Sequence, residues 1–331
     1  MDQKAINLIV DEDNNNQRFD KVVATLLQDF SRMTIKNWIN SGNVLLDNHT
    51  AEPKTKVYKG QKIQVFPITE DRQETVAEKI DFGIAYEDED LLIVDKPSGL
   101  VVHPGHGNPT GTLQNGLLYY LPFLKNLPRG GLIHRLDKDT SGLLIIAKTS
   151  HSYTKMVSAL EKRKILREYR AICVGAMSSG GKVDAKISRD TKNRIKFAIS
   201  KNGKHALTHF RILKKFEQHT YIGLRLDTGR THQIRVHMSH IKYPLLGDPL
   251  YGKRLIVPQS ASKTLQSKLQ QFKRQALHAN KINLSHPISH KELTIRSKIP
   301  EDMLSILMAL SNGQMNREDI ENLQYPQTQK F

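Results

Sequence analysis

A single cysteine, Cys173, stands in 331 residues, so no intramolecular disulfide can form and no cysteine-based zinc finger can be built. That usage fits a reducing compartment. No apolar run approaches the roughly 18 residues that a membrane span requires. The first residues carry Asp2, Asp11, Glu12 and Asp13 where a secretory leader would need an apolar core. A membrane-spanning or secreted protein is therefore not expected, and the compartment expected is the cytoplasm. Acidic residues are also short: 33 Asp and Glu face 50 Lys and Arg, a formal charge of +17. Such a surface attracts polyanions, and the release of phosphate counterions supplies affinity that weakens with salt. No repeat of solenoid period is present.

What is there divides into two regions. Phe19, Val22, Val23, Leu26, Leu27 and Phe30 fall on one helical face. Ser31 offers a cap for a second helix that turns Ile35, Trp38 and Ile39 inward, leaves Arg32 and Lys36 outside, and stops at Ser41-Gly42. Val44 to Leu46, an Asp47-Asn48 turn, and the alternation of Ile63 and Val65 predict short strands. Pro67 to Lys79 is polar and has the composition of a linker, so a boundary is expected near residue 76. Beyond it, short apolar strands are predicted at Leu91 to Val94, Leu132 to Leu136, Leu143 to Ala147, Tyr169 to Val174 and Tyr221 to Leu226. Helices are predicted at Gly111 to Tyr120 and Ser150 to Lys162, around Leu265, Leu269, Phe272 and Ala276, and around Met303, Leu304, Leu307 and Met308. The fold class expected is α+β on a largely antiparallel sheet. Residues 313–331 are polar and are expected to fray.

Several signatures fail on spacing. Asp81-Phe82-Gly83 and His134-Arg135-Leu136-Asp137 imitate kinase motifs in reversed order and without a glycine-rich loop. Gly105-His106-Gly107-Asn108 lacks the Lys of a phosphate-cradling loop, and Ser141-Gly142 lacks the flanking glycine of a nucleophile elbow. His205 with His209, and His232 with His237, lack the carboxylate of a zinc-protease helix. Three segments remain. Gly131-Leu132-Ile133-His134-Arg135-Leu136-Asp137-Lys138-Asp139-Thr140-Ser141-Gly142 sets a carboxylate in a tight turn beside an arginine. Leu166-Arg167-Glu168-Tyr169-Arg170-Ala171-Ile172 is strand-like and puts Tyr169, Ala171 and Cys173 on one face. Leu226 to His237 runs from a strand through Thr228-Gly229 into a helix, with Thr231 as the expected cap and Ile234, Met238 and Ile241 on one face. Taken alone, the first segment leaves open whether Asp137 is a reacting group or pairs with Arg135 or Lys138 at the surface.

In order and separation these three segments resemble those of the RluA/RluD-type RNA pseudouridine synthases. Val101-Val102-His103-Pro104-Gly105 and Leu245-Leu246-Gly247-Asp248-Pro249-Leu250-Tyr251-Gly252 are similar to the family as well, and the N-terminal unit resembles an S4 RNA-binding domain. Asp47-Asn48 departs from the Asn-Gly turn common there, although both residues tolerate left-handed backbone. The resemblance implies an S4-like α/β RNA-binding domain at 17–75, a mainly antiparallel, mixed-sheet catalytic domain at 76–312, and a polar tail at 313–331.

It implies further that Asp137 is the catalytic carboxylate. Pseudouridine formation breaks the C1′–N1 bond of a uridine, turns the base and joins C1′ to C5. A carboxylate can attack C1′ or take the C2′ proton, and no metal or cofactor is required. Arg235 would pair with Asp137 and keep it ionised, and Tyr169 would lie against the target base and help remove the C5 proton. Arg135 would enter the RNA stack vacated by the everted nucleotide. His134, Lys138, Arg230 and His232 would contact RNA at the cleft, Arg32 and Lys36 would do so on the arm, and Lys263, Lys268, Lys273 and Arg274 would line a phosphate track. The partner implied is large-subunit (23S) ribosomal RNA or an assembling large subunit, bound by a monomer. Two alternatives belong to other classes: a non-catalytic RNA-binding or ribosome-assembly protein retaining the fold, and a metal-dependent nuclease using Asp137 and Asp139.

Overall fold

The computed structural model describes residues 5–27, 30, 32–67, 75–105, 107–252 and 255–324. The chain separates into two units, Met1–Glu74 and Thr75–Phe331.

In the first unit, strand β1 (Ile6–Ile9) and a short β2 (Gln17–Arg18) lead into helices α1 (Phe19–Leu26) and α2 (Arg32–Asn40). Strands β3 (Val44–Leu46), β4 (His49–Thr50), β5 (Lys56–Val57) and β6 (Lys62–Val65) follow, giving a sheet in the order β1-β6-β3-β4 and a separate β2-β5 pair. Phe19, Val22, Val23, Ile35, Trp38 and Ile39 close the core. Phe30 packs against that core from beyond the end of α1 rather than within it, and Ser31, the expected cap, lies outside the described residues. The β3–β4 hairpin turns on Asp47 and Asn48, both left-handed at φ 48° and 65°. A two-residue turn with positive φ at both positions matches strand twist, which explains why Asp-Asn serves in place of Asn-Gly.

The second unit is built on β7 (Gly83–Glu87), β8 (Leu91–Lys96), β9 (Ser141–Ala147), β10 (Leu166–Val174), β11 (Gly181–Asp184), β14 (Leu207–Lys215), β15 (His219–Leu226), β16 (Leu277–Ser285) and β17 (Glu292–Arg296). A detached hairpin, β12 (Ile187–Arg189) and β13 (Phe197–Ile199), lies beside them. The nine-stranded sheet runs β11-β14-β15-β10-β16-β9-β8-β7, with β17 also on β16. Every pairing is antiparallel except β16 with β9, so the sheet is mixed and mainly antiparallel as expected. Side chains alternate between two apolar layers. Leu92, Val94, Leu144, Ile146, Tyr169, Ala171 and Cys173 pack with α3 (Leu113–Tyr120) and α5 (Gln233–His240). Leu91, Ile93, Leu143 and Ile145 pack with α4 (Ser150–Glu161), while Ile172 and Val174 pack with α6 (Lys263–Gln271) and α7 (Glu301–Leu310). Burial on both faces explains the near-continuous apolar runs that marked these strands in the sequence.

Some expectations change. Leu132–Leu136 is not a strand but an extended segment joined to β9 by a single bridge, Leu132 to Ile146. Helix α6 ends at Gln271, and Phe272 and Ala276 complete the same apolar layer from outside it. The polar tail does not simply fray: Asn316 and Asp319 form a reciprocal cap on a short α8 (Arg317–Glu321), whose Ile320 is buried.

Several histidines are sealed in this body, and two of them are strongly shifted by burial on the sheet. His219 on β15 and His278 on β16 are each at most 1% exposed, and burial pushes the pKa of each down to about 4. Unfolded, each binds a proton near 6.5; folded, neither does until about 4, so their stabilising contribution is intact above 6.5 and is lost as pH falls toward 4. Lowering pH from 7.5 to 5.0 should cost about 2 kcal/mol per histidine in urea-unfolding free energy. The His219→Leu chain should lose about 2 kcal/mol less than the parent over the same interval; equal losses in the two chains would count against the account.

Candidate active site

The Asp137 turn is held from below and behind. Its own carbonyl accepts the Thr140 N–H at 3.1 Å, closing the turn over Lys138 and Asp139. Lys96, at the end of β8 and fully buried, donates to the carbonyls of Pro97, Leu100 and Lys138 at 2.8, 2.9 and 2.8 Å. Burial lowers its pKa to about 7 against the pull of Asp139 and Asp137. Three acceptors match the three N–H groups of an ammonium, whereas a neutral amine would leave one carbonyl unpaired. Ser98 Oγ and Arg274 Nη1 donate to the Asp139 carbonyl at 3.1 and 3.2 Å. Just beyond, Gly142 sits at φ +108°, and a Cβ there would lie 2.3 Å from the Ala279 carbonyl. Only glycine lets β9 approach β16 so closely.

That approach sets the position of the tyrosine. Gly142 is opposite Ala279 on β16, and Ala279 is opposite Tyr169 on β10. Two strand spacings, about 9–10 Å, therefore separate the Tyr169 backbone from the start of β9, and Tyr169 and Asp137 line the same cleft. Tyr169 is 5% exposed, and burial, with the Asp137 charge adding, raises its pKa against the opposing Arg167 charge. At neutral pH it is a phenol.

The third wall is the loop into α5. Thr228 Oγ1 donates to Gln233 Oε1 at 2.8 Å, and Gln233 Nε2 donates to the Leu207 carbonyl and Thr208 Oγ1, both at 3.0 Å. His237 continues the chain to Thr208 Oγ1 at 2.9 Å and to the Ala185 carbonyl at 3.0 Å. Each buried polar group is thereby paired, which fixes the first turn of α5. The residue preceding the helix is His232, left-handed at φ 55°, and not Thr231 as the sequence implied. One helical turn on, Arg235 is 4% exposed and meets two carboxylates. Its Nε and Nη2 donate to Asp248 at 2.7 and 2.9 Å, and its Nη1 donates to Asp137 Oδ2 at 3.0 Å. Although burial disfavours the charge, the hydrogen bonds and charge of Asp248, and then of Asp137, hold Arg235 above the ordinary arginine range. It is a permanent cation.

These parts border one cleft of about 500 Å³. It brings together Asp137, Tyr169, Arg235, Arg135, His134, Arg230 and His232 from the sequence-derived set. Arg135 and Arg230 are exposed at its edge. His134 is turned to the scaffold: its Nε2 accepts the Ile145 N–H at 3.3 Å, and burial lowers its pKa to about 3, so it carries no charge to offer a phosphate. His232 has a lowered pKa, from burial despite the nearby Asp137. Lys138 is exposed but does not line the cleft. Neither do Lys263, Lys268, Lys273 and Arg274, and the last is committed to a two-pronged pair with Asp302 at 2.6 and 2.7 Å. Arg32 and Lys36 belong to the first unit, exposed on α2, with Arg32 3.4 Å from Asp20.

A family model described as RNA pseudouridylate synthase matches residues 90–240. Over 310 residues, 94% of each chain, the protein is 44% identical to "Ribosomal large subunit pseudouridine synthase D" of Xanthomonas campestris. It is 46% identical over 299 residues, 90% of this chain and 92% of the relative, to the protein of the same name from Escherichia coli. This chain belongs to the RNA pseudouridylate synthase family. Among solved structures, "Human RNA Pseudouridylate Synthase Domain Containing 4" aligns with a TM-score of 0.53 at 28% identity, covering 69% of this chain and 93% of the human one. "Human RNA Pseudouridylate Synthase Domain Containing 1" (TM-score 0.51, 23% identity, 66% and 83% coverage) shares the fold.

Within this family member, sequence reasoning missed the groups that hold Asp137, Arg235 and His232 in place. Asp248 and Tyr251 lay inside a segment notable only for its resemblance, and Lys96 lies two residues beyond the predicted strand Leu91 to Val94. Arg129, Arg163 and Arg167 also line the cleft. Asp248 is the most consequential of these. Its side chain is fully buried, and Oδ1 also accepts the N–H groups of Leu250 and Tyr251 at 2.9 and 3.0 Å. Removing one member of a buried ion pair strands the other, so Asp248→Asn should lower unfolding stability by roughly 3–5 kcal/mol. Urea denaturation measures it, and a loss below about 1 kcal/mol, the range of an exposed pair, would contradict this geometry.

Proposed function

We propose that this enzyme isomerises specific uridines of large-subunit ribosomal RNA in the cytoplasm, with Asp137 as the reacting carboxylate and no cofactor. The observation that carries the reading is the asymmetry of Asp137. Among the described residues, its side-chain hydrogen bonding ends on Oδ2, held by Arg235, while the group remains 18% exposed to the cleft. One oxygen orients the carboxylate and the other is left for chemistry.

The substrate reading draws on the relatives' names and on the charge of +17. In the reaction, the C1′–N1 bond breaks as Asp137 attacks C1′ or removes the C2′ proton. The uracil turns and C5 joins C1′ as the Asp137–C1′ bond breaks or, in the other route, as the C2′ proton is returned; the C5 proton then leaves and N1 is protonated, which restores Asp137 as a carboxylate. Tyr169, a neutral phenol at rest, supplies a flat buried surface for the base and can pass that proton onward only as its own proton is given up. Arg135 fills the vacated place in the RNA stack, since a guanidinium plane stacks as a base does. Arg230 and His232 lie where the backbone of the everted nucleotide would pass. The first unit acts as an RNA-gripping arm through Arg32 and Lys36, and the protein works as a monomer.

Carbodiimide mapping of pseudouridine in ribosomal RNA from cells carrying Asp137→Asn tests the central assignment. Particular sites should vanish, single-turnover conversion in vitro should fall at least roughly 100-fold, and RNA affinity and RNA length should stay unchanged. Identical maps for the two proteins would remove Asp137 from the chemistry. A second outcome concerns the arm: Arg32→Gln with Lys36→Glu should weaken RNA binding and flatten its salt dependence by about one or two units of log–log slope. The saturated single-turnover rate should be unaltered.

A further inference from the structure

Tyr251 meets the site three times, with three different groups. Its ring lies 5.1 Å from the Arg235 guanidinium carbon, its N–H donates to Asp248, and its hydroxyl lies 2.8 Å from both the Phe197 nitrogen and His232 Nδ1. Phe197 opens β13 of the detached hairpin, and its N–H can only donate. A phenol oxygen that has accepted one N–H is left with its own proton to give, and among the described residues the acceptor placed for it is His232 Nδ1. The proton of a neutral imidazole then belongs on Nε2. That nitrogen stands 3.8 Å from Asp137 Oδ2.

The ring has little freedom to do otherwise. Phe197 and Tyr251 each meet it edge-on, with centroids 5.6 Å away. Its backbone is held at φ 55°, a left-handed conformation that side chains rarely adopt but that histidine tolerates better than most. Chemistry at the carboxylate distinguishes the three forms of the ring. An imidazolium so near would draw on the negative charge that Asp137 needs. The Nδ1–H tautomer would set a lone pair against a carboxylate oxygen and leave Tyr251 without an acceptor. The Nε2–H tautomer offers an uncharged donor to the carboxylate edge and to any substrate oxygen beside it, leaving Arg235 as the single cation on Asp137.

We propose that Tyr251 is a positioning residue that, fixed by the β12–β13 hairpin, holds His232 as its Nε2–H tautomer, so that a neutral N–H donor is kept beside Asp137 in the cleft. The role depends on Asp137 being the reacting carboxylate. It moves His232 from the phosphate-binding set to the reaction centre. Tyr251→Phe isolates the hydroxyl, because the ring over Arg235 and the N–H to Asp248 remain.

The experiment uses the full chain with 15N-labelled histidine and a ribosomal RNA fragment containing a target uridine. In the RNA-free wild type, His232 should show one tautomer protonated at Nε2, and in Tyr251→Phe it should move to a mixture. The single-turnover rate should fall about tenfold while the dissociation constant stays within about twofold, as expected when a partner that orients a histidine is removed. His232→Gln, which can place an amide N–H near the Nε2 position, should retain more activity than His232→Ala. On the His232→Ala background Tyr251→Phe should cost nothing further. An unchanged tautomer in Tyr251→Phe, an unchanged rate, or a Tyr251→Phe loss that persists in full without His232 would overturn the proposal. If instead Asp137→Asn keeps its activity, the reading of the site fails, and the tautomer measured in RNA-free protein still judges the Tyr251–His232 bond on its own.

Discussion

A guanidinium with two carboxylates and almost no water is the constraint on which the catalytic unit depends. Arg235 cannot be neutralised, so its burial requires full pairing. Asp248 supplies most of that, two-pronged and itself buried, and the chain from 248 to 251 wraps round it with two N–H bonds to the same carboxylate. What remains is one N–H, Nη1, aimed at Asp137. The arrangement orients the Asp137 carboxylate without making it the arginine's sole counter-charge. Asp248 answers the arginine's charge, and Asp137 is left as the surplus negative group of the triad. Were Asp137 the only partner, the pair would satisfy itself and have less reason to react.

Ninety-eight positions separate Asp137 from Arg235, so the contact exists only if both ends are rigid. The Asp137 end is anchored by donors from three other places in the chain: Lys96 beneath Lys138, with Ser98 and Arg274 on the carbonyl of Asp139. The Arg235 end is anchored by Gln233 and His237 through Thr208 and Thr228. These are hydrogen bonds to backbone carbonyls or within a connected polar network, and they fix both ends of the contact. Between them β9, β16 and β10 run side by side, with Gly142 allowing the close approach of β9 to β16. Mixed sheet order is thus part of the site: the one parallel pairing in the sheet is the one beside the Asp137 turn.

Much of this was legible in the residues. Period and alternation marked the strands because their side chains are buried on both faces, and the three motifs marked Asp137, Tyr169 and Arg235, which the fold brings to one cleft. The errors have common causes. Leu132–Leu136 has the apolar content of a strand, yet most of its backbone is spent positioning His134, Arg135 and Asp137 rather than pairing. Thr231 is a good cap by type, but His232 takes that position because its ring is anchored by Tyr251. Ile320 gives one apolar signal in a polar tail, too little to predict a docked helix. Asp248 and Lys96 were invisible as site residues because their importance lies in whom they touch across long stretches of sequence, and a lone aspartate or lysine has no local pattern to betray it.

Charge in the cleft is graded, and the grading bears on how RNA is handled. Arg129, Arg135, Arg163 and Arg230 are exposed at the opening, while Arg167 and Arg235 are buried. Further in, the titratable rings are uncharged: burial lowers His134 and His232 and raises Tyr169. Phosphates therefore meet mobile, hydrated cations at the rim, where counterions are easily exchanged. A base going deeper leaves that field for neutral rings and a triad whose charges are already paired to within one carboxylate. A polyanion is drawn to the opening but meets, at Arg235, a cation already paired with two carboxylates. An uncharged base is the part of an RNA suited to that interior, and on the proposed reading the carboxylate it meets there is Asp137.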